Sequence, residues 1–384
     1  MTLSIRPPAD IQPTWDVASD LLSFLRCGLQ YRYSRPGKPR PSHSSQQFSG
    51  QFLQQMLEDA WLLANTPAAS PFPWPQQAVQ EMLNQVEQRL AAHGVRCHSA
   101  SGRHYTRLRA AAAINELGPL LLPLLCHARM HVRGSFHNPD TVPHGEFKDI
   151  PACELTATIH AVARLHLQDP ALSGNPLVKL LQQQLPQAPA GTVELLVDFQ
   201  SNRRPDSTCN QTLCNDSTQL QIQATSSLYG TRTRHPVIAG LVCYLSELVP
   251  SRRDFQALRK ALIQRPGDPD VPAPDSPDAA ILRTWKARTA GEVPPLLSLP
   301  FRLQRTIRVI TVSVAHQQVA LKQLRETVQR ILQCRSHELL TGHIISAWER
   351  NASQITVCRA CDARTWCPDH TSMLQPDLPG IRRC

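Results

Sequence analysis

The sequence predicts an α/β protein: helices in its first third, strands in its middle, and a helix with a cysteine-rich tail at its end. Three patterns lead there. Apolar residues recur at helical spacing through residues 17–33, 46–63, 76–93 and 107–132. Period-two alternation takes over in 154–165 and 192–200. Helical spacing returns at 218–229 and 313–333.

In order, residues 17–33 carry Leu21, Leu22, Leu25 and Leu29 on one stripe, with Ser19 as N-cap and Cys27 inside the segment, ahead of Tyr31 and Tyr33. Residues 34–45 are rich in Pro, Arg and Ser and read as a loop. The next helix, 46–63, has the stripe Phe48, Phe52, Met56 and Ala60. The third, 76–93, has Val79, Met82, Leu83, Val86 and Leu90, and Gly94 ends it. The fourth, 107–132, is expected to be kinked or split at Pro119 and Pro123. In 154–165, Leu155, Ala157, Ile159, Ala161 and Ala163 alternate with Glu154, Thr156, Thr158, His160 and Val162. In 192–200, Val193, Leu195, Val197 and Phe199 face one way and Glu194, Leu196, Asp198 and Gln200 the other. Residues 236–248 read as a strand or the start of a buried helix, and the proline-dense 264–300 as a long loop or linker.

The 384 residues suffice for two domains, or one with large insertions. A net charge of +10 favours an acidic partner, of which nucleic acid is the commonest. No run of about twenty apolar residues is present to cross a membrane, and residues 1–16 hold no leader-like apolar run. The chain is therefore expected to be cytoplasmic, where clustered cysteines bind metal more often than they form disulfides. No G-x4-G-K-S/T loop occurs, so an ATPase activity is expected to come from another chain.

Cysteine is the most informative residue. Cys358, Cys361 and Cys367 are spaced C-x2-C-x5-C, and a C-x2-C pair turns two thiolates toward one metal. A fourth ligand is needed. His370 would complete a local zinc knot, Cys27 would join both ends of the chain, and Cys384 is a further option. The bland alternative is three ordinary thiols.

Around these cysteines the chain resembles the iron–sulfur RecB-like nucleases of the PD-(D/E)XK superfamily, which include the AddB nuclease domain and CRISPR-associated RecB-like exonucleases. They carry one cysteine in an N-terminal helix with an aromatic context, matched by Phe24, Cys27, Tyr31 and Tyr33, and three in a C-terminal C-x2-C-x5-C, matched by Cys358, Cys361 and Cys367 before Pro368. Gly28 stands where their proline follows the first cysteine. The resemblance implies a restriction-endonuclease-like core with a mixed central sheet, a helical insertion, and a 4Fe-4S cluster stapling the termini, with zinc as the alternative metal. It divides the chain into an N-terminal cysteine helix (1–45), a helical region (46–150), a nuclease-like core (151–263), the proline-rich stretch (264–300) and the C-terminal helix with its cysteines (301–384).

The same resemblance tests for chemistry. Such nucleases hold Mg²⁺ or Mn²⁺ on carboxylates, and a lysine positions the attacking water. Their helix motif G-x-x-x-H is Gly50 to Gln54 here, and the histidine position holds Gln54. The strand E-L-x-G-x-I-D is Glu154 to His160, with histidine in place of the metal-binding aspartate. The strand V-D-Y-K-T is Val197 to Ser201, which keeps Asp198 but has Gln200 in place of lysine. Gln219 fits the glutamine of the next helix. The expected protein is thus a catalytically inactive nuclease fold that binds DNA, single- or double-stranded, or RNA. It would serve beside a helicase or active nuclease in repair, recombination or antiviral defence, with Arg203 and Arg204 as phosphate contacts. An active nuclease would need Asp198, Glu154 and His160 on the metal and a substitute lysine such as Lys148 or Lys179. A zinc-bound interaction protein is the third reading.

Overall fold

The computed structural model describes residues 14–34, 45–66, 71–136, 153–205, 212–287, 289, 292–350, and Cys358, Cys361 and Cys367. It opens with a short strand, β1 (Thr14–Asp16), and a π-helical turn over Val17–Leu22. The turn is capped by the Asp16 carboxylate, which accepts the Ser19 N–H at 2.7 Å, and not by the Ser19 hydroxyl as the sequence suggested. The single helix expected over 17–33 is broken. α1 (Ser23–Arg26) and α2 (Gly28–Ser34) flank Cys27, whose φ of −166° and ψ of 112° are extended.

α3 (Ser45–Ala64) and α4 (Gln76–Ala92) bury the stripes read from their periodicity. Gly94, at φ +78°, takes the left-handed turn that ends α4. α5 (Ala100–Ala112) continues through a π-helical turn into α6 (Gly118–Leu121) and a 3-10 turn at Leu122–Leu124. Residues 125–132, expected to be helical, instead belong to β2 (Leu125–Phe136). Pro123 closes the helix there, and Ala128, Met130 and Val132 alternate with His127, Arg129 and His131 in the strand period.

β3 (Cys153–His166) and β4 (Thr192–Gln200) match the two alternating segments, with α7 (Pro176–Gln184) between them. Six consecutive residues of β4 are buried, so it is covered on both faces. α8 (Thr212–Gly230) leads to β5 (Val237–Tyr244), so the strand alternative for 236–248 holds over 237–244, and a 3-10 turn follows at Leu245–Glu247. α9 (Arg252–Gln264) begins at a capping box between Ser251 and Asp254. The proline-dense 264–300 is not simply a linker. It contains α10 (Pro277–Thr284), whose Ala279 and Leu282 are fully buried against Phe255, Leu258 and Leu262. Two helical turns are too short to print a periodicity through eight prolines. α11 (Leu299–Thr306), β6 (Ile307–Thr311), α12 (Val314–Thr341) and α13 (Ile344–Ala347) complete the described elements.

The six strands form one mixed sheet in the order β1-β3-β4-β5-β6, with β2 also paired to β3. β1 runs parallel to β3, β3 antiparallel to β4, β4 parallel to β5, and β5 antiparallel to β6. Two compact units interleave in sequence instead of following one another: residues 1–42, 133–157 and 315–384 make one, and 43–132 with 158–314 the other.

In the larger unit, Val193, Leu195, Val197, Ala239, Leu241 and Cys243 share a core with α3, α4 and α5. Val242, Tyr244 and Ile310 pack with Ile222 of α8. Gly240 of β5 allows this second layer, because a Cβ there would collide with the Ile222 side chain.

Candidate functional site

Antiparallel pairing sets Ala161 of β3 opposite Val197 of β4, and the next step of that register brings His160 opposite Asp198. Their side chains meet: His160 Nδ1 lies 2.9 Å from Asp198 Oδ1. The Gln200 amide donates to Asp198 Oδ2 from the same strand face. Phe199 N–H also points at His160 Nδ1, at 3.0 Å, so two groups compete for that nitrogen. The buried carboxylate favours a proton on Nδ1, donated to Asp198. Burial alone would lower the His160 pKa and raise that of Asp198. Their mutual hydrogen bond and charge outweigh it, holding the imidazole above its ordinary range and the carboxyl below. Both directions favour an imidazolium–carboxylate pair at least between the two groups' ordinary pKa values, about pH 4 to 6.5.

Glu58 of α3 and Arg129 of β2 complete the surroundings. Glu58 adds to the upward shift of His160 and Arg129 opposes it. Arg129 reaches Glu58 at 3.5 Å. Gln54, at the expected histidine position, donates to Glu58 at 2.9 Å. A Cβ on Gly50 would come within 3.5 Å of the Ser201 hydroxyl, so the start of α3 lies against the end of β4. Beside the site, burial drives the Cys243 thiol strongly upward and Asp198 adds to it, leaving an unreactive protonated thiol.

Of the residues singled out in the sequence, Asp198, His160, Gln200 and Gln54 thus lie around one locus. Glu154 pairs with Thr14 of β1, six residues back along β3, a strand length of roughly 20 Å. Gln219 lies on α8, partly buried. Arg204 is committed within the chain: its guanidinium meets Asp270 at 3.2 Å and the Gln304 carbonyl at 2.9 Å. Arg203 lies 3.9 Å from Asp254. Lys179 is exposed on α7, while Lys148, His370 and Cys384 lie outside the described residues. Two residues at the locus escaped sequence reasoning. Glu58 is four positions after Gln54 on one helix face, a usable signal. Arg129 was hidden in a stretch taken for helix.

In the smaller unit α1 and α2 meet the residues that follow α13. Leu29 N–H donates to the Glu349 carbonyl at 2.8 Å. Trp348 packs against Phe24 and Tyr31, with ring centres 6.2 and 5.9 Å apart. Its indole N–H and both arms of Arg32 converge on Glu338. Gly28 permits this close approach: a Cβ there would press to 3.0 Å from both the Glu349 carbonyl and the Phe24 ring. Burial raises the Tyr33 hydroxyl, and Cys367 raises it further, so that tail cysteine lies near the N-terminal helix. None of the nine described cysteines forms a disulfide. Among the described residues, no three His, Cys, Asp or Glu side chains gather closely enough to hold a metal ion. No helix among them is long and apolar enough to cross a membrane.

No protein-family model and no curated protein matches this chain.

Proposed function

We propose that this chain is a nucleic-acid-binding protein on a RecB-like, PD-(D/E)XK-type fold whose cutting site is retired. It would act as a subunit of a DNA repair, recombination or antiviral-defence complex, beside a helicase or an active nuclease. The observation that carries the reading is the engagement of Asp198. Its Oδ1 is taken by His160 and its Oδ2 by Gln200. In an active site of this type those positions would hold a second carboxylate and a lysine, and the aspartate would face the metal. A positive imidazole pressed against the remaining carboxylate disfavours a hard divalent cation. The order of elements agrees with the reading: α3, β3, β4 and α8 carry the positions of the family's helix, first strand, second strand and following helix. The charge of +10 suits a polyanionic partner.

A 4Fe-4S cluster on Cys27, Cys358, Cys361 and Cys367 belongs to the same proposal. Four thiols are the donor set such a cluster takes; Leu29 and Trp348, whose contacts join α2 to the residues after α13, stand two positions after Cys27 and ten before Cys358. The cluster would supply a covalent cross-link between the chain ends. Cys27 would offer its thiolate from the extended break between α1 and α2, beside Gly28, where Glu349 approaches closely.

Iron, sulfide and zinc content, measured on protein purified without oxygen, tests this half. Loss of iron in Cys27→Ala with retention in His370→Ala supports the cluster. Zinc that survives Cys27→Ala and is lost in His370→Ala replaces it with a zinc knot. A gel shift with DNA tests the binding half.

A further inference from the structure

Among the described residues, Arg129 is the one non-glycine with a positive φ, at +46°. A left-handed arginine within a strand is strained, and such strain concentrates where a ligand is held. Its side chain is 58% exposed. Near it, His131 is also exposed on β2, its Nδ1 lying 3.1 Å from the Thr158 hydroxyl. Arg232, in the turn after α8, donates to the His131 carbonyl at 3.5 Å. Thr158 stands two residues before His160 on the same face of β3. A basic patch from β2 and the turn after α8 therefore borders the His160–Asp198 locus. Glu58 lies on Arg129, and the buried Glu194 is held by Arg164 and Thr233.

We infer that Arg129, His131 and Arg232 form a backbone-binding surface for single-stranded DNA. This rests on the nucleic-acid reading above and gives it a location, in place of Arg203 and Arg204, which the fold directs toward its own carboxylates. Arg129 contacts Glu58 only loosely, so a phosphate can take over its guanidinium. The guanidinium and imidazole planes can also stack on unpaired bases, which a duplex hides.

The test is fluorescence anisotropy of the full chain with labelled 30-nucleotide oligo-dT across a salt series. Arg129→Glu/Arg232→Glu is expected to bind at least tenfold more weakly. Its slope of log affinity against log salt should fall by roughly 1.4, two phosphate contacts at about 0.7 each. Arg129→Gly removes the charge but suits the left-handed backbone, so it is expected to melt no lower than wild type and still bind more weakly. Wild-type binding that neither variant changes would overturn the patch while sparing the nucleic-acid reading. No binding by the wild type sinks both. Tighter binding to a duplex of equal length, or to oligo-U, overturns the assignment to single-stranded DNA.

Discussion

His160 and Asp198 face each other across β3 and β4, Nδ1 to Oδ1 at 2.9 Å, with the carboxylate almost wholly buried. A buried charge that loses its partner costs far more than the pair is worth. His160→Ala is therefore expected to destabilise the fold by about 3 kcal/mol. Adding Asp198→Ala should restore part of that loss. Urea unfolding of the two single variants and the double variant checks it; strict additivity would show that the pair is not coupled.

The same pair gives a pH dependence. The His160 pKa is raised in the fold, so its contribution is complete below about pH 6.5 and fades as pH climbs through the raised value. The Asp198 pKa is lowered, so its contribution is complete above about pH 4 and fades as pH falls through the lowered value. The melting-temperature gap between wild type and His160→Asn should be widest between these limits and shrink at alkaline pH. A gap that stays constant from pH 5 to 9 contradicts the ion pair.

Gly240 lies beneath Ile222 with no room for a Cβ. Gly240→Ala is expected to cost about 1–3 kcal/mol by overpacking. Much of that cost should disappear in an Ile222→Ala background. Equal penalties in both backgrounds would place the strain elsewhere.

Trp348 joins α1 and α2 to α12, buried against Phe24 and Tyr31 and bonded to Glu338. Trp348→Ala should destabilise by about 3–5 kcal/mol. If the proposed cluster forms, this variant is also expected to lower the iron recovered per chain; full iron content in a destabilised variant would separate the proposed cluster from this contact.

Much of this was legible in the sequence. The stripe of Phe48, Phe52, Met56 and Ala60 fixed α3, and alternation fixed β3 and β4 together with the shared face of Asp198 and Gln200. Three features were obscured by local ambiguity. β2 follows directly on a helical run, and its alternation of histidine and arginine with Ala128, Met130 and Val132 was absorbed into the helical reading. α10 is too short to show a period. The extended break at Cys27 depends on the approach of Glu349, more than 300 residues later in the chain. At the site, His160 and Gln200 could be picked out along the chain. That these residues take up both oxygens of Asp198, and that Glu58 and Arg129 stand beside them, is tertiary information.

The most direct test of the central claim is a nuclease assay on anaerobically purified protein of known iron content. It would offer single- and double-stranded DNA with Mg²⁺ or Mn²⁺, with Asp198→Ala as control. The account predicts DNA binding without cleavage, the same for wild type and control. Metal-dependent cleavage by the wild type that disappears in Asp198→Ala would contradict it and return Asp198 to a catalytic role.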